Sequence, residues 1–186
     1  STKILEKVGI DENQKFILFF GRIHKKKGIE YLLNAFQKFV KKYGDYVLVI
    51  GGHGEKNYVD EIKTLIKTLG IQKLVKFTDY VSHSEKLKLM QSAEVFVLTS
   101  LTDVHPRAVQ EALVMKTPVI ISRECDCPGV EEFEAGKIVL LDSDKVHEAL
   151  VDLLTNPETL DKYSKNSIKL VQEKYSWNAV IPQWLK

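Results

Sequence analysis

The chain has 186 residues, 27 basic and 25 acidic side chains and a formal charge of +2. That is the length of about one domain, with no charge excess to grip nucleic acid or an anionic membrane surface. A hydrophobic content of 44% excludes a disordered chain, two cysteines exclude a disulfide-built scaffold, and no apolar run reaches the ~18 residues of a membrane span.

In chain order, residues 3–9 read as a short helix and 16–20 as the first strand. A helix follows from Ile29, Leu32, Leu33, Phe36, Phe39, Val40 and Tyr43 at i, i+3, i+4, i+7 spacing. Gly44 is expected to close it in the left-handed conformation. Residues 47–50 give a second strand, and Val59, Ile62, Leu65, Ile66 and Leu69 repeat the helical stripe up to Gly70. After a third strand at 75–77, Ser82-His83-Ser84-Glu85 fits a capping box ahead of Leu87, Leu89 and Met90. Residues 95–98 form a fourth strand, and Ala108, Ala112, Leu113 and Met115 carry the next helix. Residues 119–121 form the fifth strand, 130–133 are too short to assign, and 138–141 form the sixth. Val146, Leu150, Leu153 and Leu154 mark another helix, and a last one runs from Leu160, entered through Pro157.

Most of these apolar runs do not alternate with polar residues, the habit of strands buried on both faces of a parallel sheet. Six strands alternating with helices predict right-handed crossovers and a doubly wound, Rossmann-like α/β domain. No linker, low-complexity tract or repeat divides the chain. Ligands of such a sheet lie beyond the C-terminal ends of its strands, so the residues just after each strand are the candidates.

After the first strand comes Gly21-Arg22-Ile23-His24-Lys25-Lys26-Lys27-Gly28, then a helix N-terminus. Glycines, cations and orphan N–H groups together suit a diphosphate; the bland alternative is a solvated basic loop. Gly51-Gly52-His53-Gly54 after the second strand permits close backbone approach, or is a plain tight turn. Neither the G-x-G-x-x-G nor the G-x-x-x-x-G-K-[ST] spacing is present. After the fourth strand, Pro106 suits a helix start whose Arg107 and Ala108 N–H groups face any bound anion. Glu111, at i+4 from Arg107, can take a ribose diol, or can form a surface pair with Arg107. The chain's three arginines, Arg22, Arg107 and Arg123, all fall at these strand ends or helix starts, which favours roles for a planar, bidentate fork. Cys125 and Cys127 read as reduced thiols rather than a metal site. His24, His53 and His105 lie in strand-end loops and either converge on a ligand or are solvated loop histidines, with His105 favoured by its place in the Asp103 to Glu111 stretch; His83 and His147 read as surface or capping residues. Trp177 and Trp184 read as packing residues of a closing helix.

The pattern resembles the C-terminal, donor-binding half of the retaining glycosyltransferases of family 4 (glycosyl transferases group 1), which have the two-domain GT-B fold. The resemblance runs from the Phe16 to Arg22 segment to Tyr175-Ser176-Trp177. Gly21-Arg22 followed by Lys27-Gly28 matches the family's G-R-x(4)-K-G loop. The resemblance implies that Arg22 and Lys27 bind the donor diphosphate and offset charge on the leaving group. Gly52-His53-Gly54 takes the place of a Gly-Asp-Gly turn. Phe77-Thr78-Asp79-Tyr80-Val81 matches the segment whose backbone meets the base, with Val81 the contact. Asp103 and Glu111 sit on the E-x(7)-E motif, Asp103 replacing the first glutamate. Glu111 is then the ribose ligand, and Arg107 and Ala108 offer backbone N–H groups to phosphate. His105-Pro106 replaces the usual aromatic-glycine pair. The implied catalytic set is thus Arg22, Lys27, Asp103 and Glu111. Gly21, Gly52, His53, Val81, His105, Pro106, Arg107 and Ala108 are the implied donor contacts.

The implied activity is transfer of a hexosyl group from a nucleoside-diphosphate sugar, with UDP or GDP as leaving group, with retention and without metal or other cofactor. The whole chain, 1–186, is then the donor-binding domain, and its partner is an N-terminal acceptor domain that the chain lacks. The isolated chain is expected to be inactive, since nothing positions an acceptor. No nucleic-acid partner is expected, and any peripheral membrane contact would run through the other domain. No basic-then-apolar leader is read at the start, so a cytoplasmic location is expected. The alternatives are another GT-B nucleotide-sugar enzyme, such as an epimerase, a phosphorylase or a glycogen- or sucrose-type synthase, or a non-catalytic nucleotide-binding module. A phosphorylase needs a lysine placed for pyridoxal phosphate, and the sequence offers no convincing one.

Overall fold

The computed structural model describes residues 2–78, 80–104 and 106–176. Its strands, in chain order, are β1 (Lys15–Phe20), β2 (Tyr46–Gly51), β3 (Val75–Phe77), β4 (Val95–Leu98), β5 (Asp103–Val104), β6 (Val119–Ser122), β7 (Cys125–Asp126) and β8 (Gly136–Val139). Six of them form one sheet in the order β3-β2-β1-β4-β6-β8, and β5 and β7 form a separate short ladder. Every neighbouring pair is parallel.

The helices are α1 (Thr2–Val8), α2 (Ile29–Tyr43), α3 (Lys56–Thr68), α4 (His83–Ser92), α5 (Arg107–Val114), α6 (Ser143–Leu154) and α7 (Pro157–Leu170). From β1 the chain steps outward through β2 to β3, then returns to the far side of β1 and steps outward again through β6 to β8. Right-handed crossovers put α2 and α3 on one face and α4 and α5 on the other. Packing of α2 on α3 and α6, and of α5 on α4 and α7, agrees with two helical layers. The reversal falls between β1 and β4, which makes the C-terminal ends of those two strands the switch point.

The central strands are apolar because both of their faces are covered. Phe16, Ile17, Leu18 and Phe19 of β1 and all of Val95–Leu98 are buried, as are Val119, Ile120 and Ile121. The edge strands β3 and β8 are only partly covered. That difference explains the one misplaced strand. The sixth strand was expected at 138–141 but runs Gly136–Val139, pairing Val119 with Gly136. A Cβ on Gly136 would stand 2.1 Å from the Val119 carbonyl oxygen, so a residue without a side chain opens the strand and breaks the apolar run. Leu140 lies past its end and is 49% exposed. Residues 130–133 form turns.

Gly44 also departs from expectation. Its φ of 9° lies outside the left-handed region, whereas Gly70 does adopt it, at 71°. Only Gly44 and Asp45 separate α2 from β2, and the Asp45 N–H already bonds the Tyr43 carbonyl at 2.8 Å. That tight turn leaves no length for a Schellman closure.

The capping box of α4 forms as expected. The Ser82 hydroxyl accepts from the Glu85 N–H at 3.3 Å, and the Glu85 carboxylate accepts from the Ser82 N–H at 2.6 Å. Lys7 of α1 joins it, donating to Glu85 at 3.1 Å and to the Tyr80 carbonyl at 3.0 Å. The Ser82 backbone donor, with Lys7, holds the Glu85 carboxyl down at about 2. A depressed folded value means stability that is complete above the unfolded carboxyl's range and is lost as pH falls towards 2. Glu85→Gln should therefore flatten the pH dependence of the urea midpoint between about 4.5 and 2. Ser82→Ala should cost about 1 kcal/mol at neutral pH. Pro157 opens α7 as expected, with Asn156 capping the Thr159 N–H at 3.1 Å. Asp79, His105, Trp177 and Trp184 lie outside the described residues.

Candidate functional site

The segments leaving β1, β2 and β4 are stitched together main chain to main chain. The Gly21 N–H bonds the Gly51 carbonyl at 3.0 Å, and the Ile23 N–H bonds the His53 carbonyl at 2.8 Å. Gly52, at φ 123°, makes this approach possible, since a Cβ there would stand 1.9 Å from the Gly21 oxygen.

After Ile23 the chain makes a 3₁₀ turn, Lys25–Lys27, capped by His24 Nδ1, which accepts from the Lys26 N–H at 3.1 Å. Gly28, at φ 55°, closes the turn and starts α2. The Leu101 N–H and the Ser100 hydroxyl both donate to the Lys26 carbonyl, at 2.7 and 2.9 Å, and the Thr99 hydroxyl donates to that of Gly28 at 2.8 Å. The Ser122 hydroxyl in turn donates to the Ser100 carbonyl at 2.5 Å. Thr99, Ser100 and Ser122 are fully buried. Sequence reasoning missed this hydroxyl network, although a Thr-Ser pair directly after a buried strand was its visible signal.

Two ion pairs sit on this scaffold. Lys27 pairs with Asp103, whose side chains are 18% and 22% exposed. The Asp103 backbone is fixed by the β5–β7 ladder, its N–H bonding the Glu124 carbonyl at 3.1 Å. The second pair is Lys86 of α4 with Glu111 of α5. Lys86 Nζ donates to both carboxylate oxygens, at 2.8 and 2.7 Å. These side chains are 18% and 24% exposed, and Lys86 Nζ lies 5.8 Å from the Phe20 ring centroid. Glu111 therefore takes Lys86 as its ion-pair partner and not Arg107, while His83 Nδ1 stands 3.9 Å away.

Pro106 is the N-cap of α5 and supplies no side-chain cap, so the Arg107 and Ala108 N–H groups open the first turn as orphan donors. Arg22, Lys26 and Arg107 are exposed and make no ion pair among the described residues. His53 is exposed on the Gly52 turn, and Val81 packs partly buried between β3 and α4. The structure thus gathers Gly21, Arg22, Lys27, Gly52, His53, Asp103, Pro106, Arg107, Ala108 and Glu111 along the ends of β1, β2 and β4. Arg123 does not join them. It lines an open depression of about 450 Å³ beside β8 and α6.

Cys125 and Cys127 are free and buried. Burial pushes both thiols up, so they stay protonated at neutral pH. Among the described residues, no group of three or more His, Cys, Asp or Glu side chains is placed to hold a metal ion.

A parallel six-stranded sheet with these strand-end segments has the architecture of the C-terminal domain of a GT-B glycosyltransferase. The chain belongs to the glycosyl transferases group 1 family, which matches residues 1–170. It is 32% identical to an uncharacterised glycosyltransferase of Haemophilus influenzae over 177 residues, covering 91% of this chain and 48% of that protein. Its fold is similar to the C-terminal domain of the group 1 protein LpcC of Francisella tularensis, with a TM-score of 0.78 at 24% identity, covering 92% of this chain and 97% of that one. It is also similar to HepE of Anabaena in complex with UDP, with a TM-score of 0.84 at 18% identity, covering 99% of this chain and 50% of that one. The chain spans about half the length of the curated relatives it matches. No helix among the described residues is long and apolar enough to cross a membrane.

Proposed function

We propose that this chain is the donor-binding half of a glycosyltransferase that moves a hexosyl group from a nucleoside-diphosphate sugar to an acceptor with retention. The observation that carries the reading is convergence. The Arg22–Lys27 loop, the uncapped N-terminus of α5 and two carboxylates meet at the β1/β4 switch point. The exposed Arg22, the partly buried Lys27 and the first N–H groups of α5 suit a dianionic diphosphate. As the bond from the anomeric carbon to the phosphate oxygen breaks, negative charge grows on that oxygen, and these cations and oriented N–H groups stabilise it. On this reading they do the work that a metal ion would otherwise do. Glu111 accepts from the ribose hydroxyls and Asp103 meets the transferred sugar. We assign no protein nucleophile.

The similarity to HepE, solved with UDP, supports a nucleotide ligand. The half-length match supports an N-terminal acceptor domain in the working enzyme. Two free, buried thiols favour a reducing compartment such as the cytoplasm for it. Isothermal titration of the chain with UDP, GDP and ADP tests the reading. One of them is expected to bind at one site per chain, and sugar transfer by the chain alone is not expected. Failure of all three to bind would overturn the proposal.

A further inference from the structure

We propose that Lys86 acts with Glu111 as a donor–acceptor unit that reads the ribose 2′,3′-diol, making Lys86 a specificity-determining residue of the site. The inference deepens the donor-binding reading above and rests on it.

A carboxylate and a diol do not match in their hydrogen-bonding groups. An ionised carboxylate only accepts hydrogen bonds, whereas a sugar hydroxyl both donates and accepts. Glu111 alone would leave the accepting side of each ribose hydroxyl unmet. An ammonium donates only, so the pair together offers a partner for both the donating and the accepting side of a hydroxyl. Lys86 Nζ lies within 2.8 Å of both Glu111 oxygens, so a hydroxyl seated at the pair's open side can reach both partners.

The contacts of Lys86 show what has to change when a diol enters. Lys86 spends two N–H groups on the chelating edge of the carboxylate and stands over the face of the Phe20 ring. A diol entering that edge takes one carboxylate oxygen from Lys86, and the released N–H turns to the hydroxyl oxygen. No charge is left unpaired in the exchange. The helix that carries Lys86 is held in place, because the Ser82–Glu85 capping box and Lys7 fix its first turn.

The test compares the native chain with Lys86→Met and Lys86→Arg, using UDP, GDP and ADP, their 2′-deoxy counterparts, and inorganic pyrophosphate. The native chain is expected to prefer the ribonucleotide, and Lys86→Met to reduce that preference by about tenfold, equivalent to about 1.4 kcal/mol. Lys86→Arg should restore part of it, and pyrophosphate, which reaches only the Arg22–Lys27 side, should bind all three chains alike. Unchanged ribose preference in Lys86→Met would overturn the proposal. So would an equal loss for nucleotide and pyrophosphate, which would mark Lys86 as a general cation, and so would tighter ribonucleotide binding, which would mark it as a blocking residue. Should Lys86→Met fold poorly, the same comparison in Lys86→Gln decides. If the native chain binds none of the nucleotides, the donor-binding reading itself falls; if it binds but its ribose preference does not depend on Lys86, only this inference does.

Discussion

Arg22→Ala is expected to weaken binding of the preferred nucleoside diphosphate by roughly 10- to 150-fold and to leave the melting temperature of the chain without nucleotide within about 2 °C. The first figure comes from removing hydrogen bonds between a guanidinium and phosphate, worth about 1.5–3 kcal/mol. The second comes from placement. Arg22 is exposed and makes no ion pair among the described residues, so its loss breaks nothing in the folded chain. Titration calorimetry reads the first figure and thermal melting the second. A variant that binds as tightly as the native chain would remove Arg22 from the diphosphate site. Glu111→Ala is the instructive contrast. It too should weaken the nucleotide, but it also strands the partly buried Lys86 and so should lower stability.

Gly52→Ala should be the most damaging single substitution at the strand ends. A φ of 123° costs an alanine about 1–3 kcal/mol in backbone strain alone. Its Cβ would also stand 1.9 Å from the Gly21 carbonyl oxygen, a main-chain atom that no rotamer change can move aside. The loop must therefore separate from its neighbour, breaking the bond between the Ile23 N–H and the His53 carbonyl. A total near 3 kcal/mol would lower the melting temperature by about 6–12 °C. Nucleotide affinity should fall further than stability predicts, because the clash falls on Gly21, next to Arg22, and the separation frees the loop that carries Arg22. A melting temperature unchanged from the native chain would refute the close approach.

The sheet was largely legible because its middle is buried on both faces. Runs such as Phe16 to Phe20 and Val95 to Leu98 carry no polar interruption, and their extents match the strands to within a residue. Legibility failed where the chain's neighbours decide. Gly136 and Lys137 belong to β8 because of what Val119 and Ile120 offer across the ladder, and nothing local says so. Gly44 is a helix-stopping residue whose conformation is set by how soon β2 must begin. In the site, the loop residues Gly21 to Gly28 and the stretch from Asp103 to Glu111 were readable from their position after strands. The Lys86–Glu111 pair was not, since no sequence spacing links residue 86 to residue 111. They meet because the crossover from β3 to β4 lays α4 beside α5. Arg123 shows the converse error, since a position after a strand does not fix the direction in which a long side chain points.

The main-chain bonds that join the ends of β1, β2 and β4 decide where the cost of capture falls. With Gly21 held by Gly51, Ile23 by His53 and Lys26 by Leu101, the peptide groups around the crevice are ordered before any ligand arrives. What remains to be arranged is a handful of long side chains, each losing about 0.5–1.5 kcal/mol of rotamer freedom. On the proposed reading such a site would change partners rather than shape: Lys27 and Lys86 would exchange their carboxylate contacts for ligand contacts over a backbone that stays where it is.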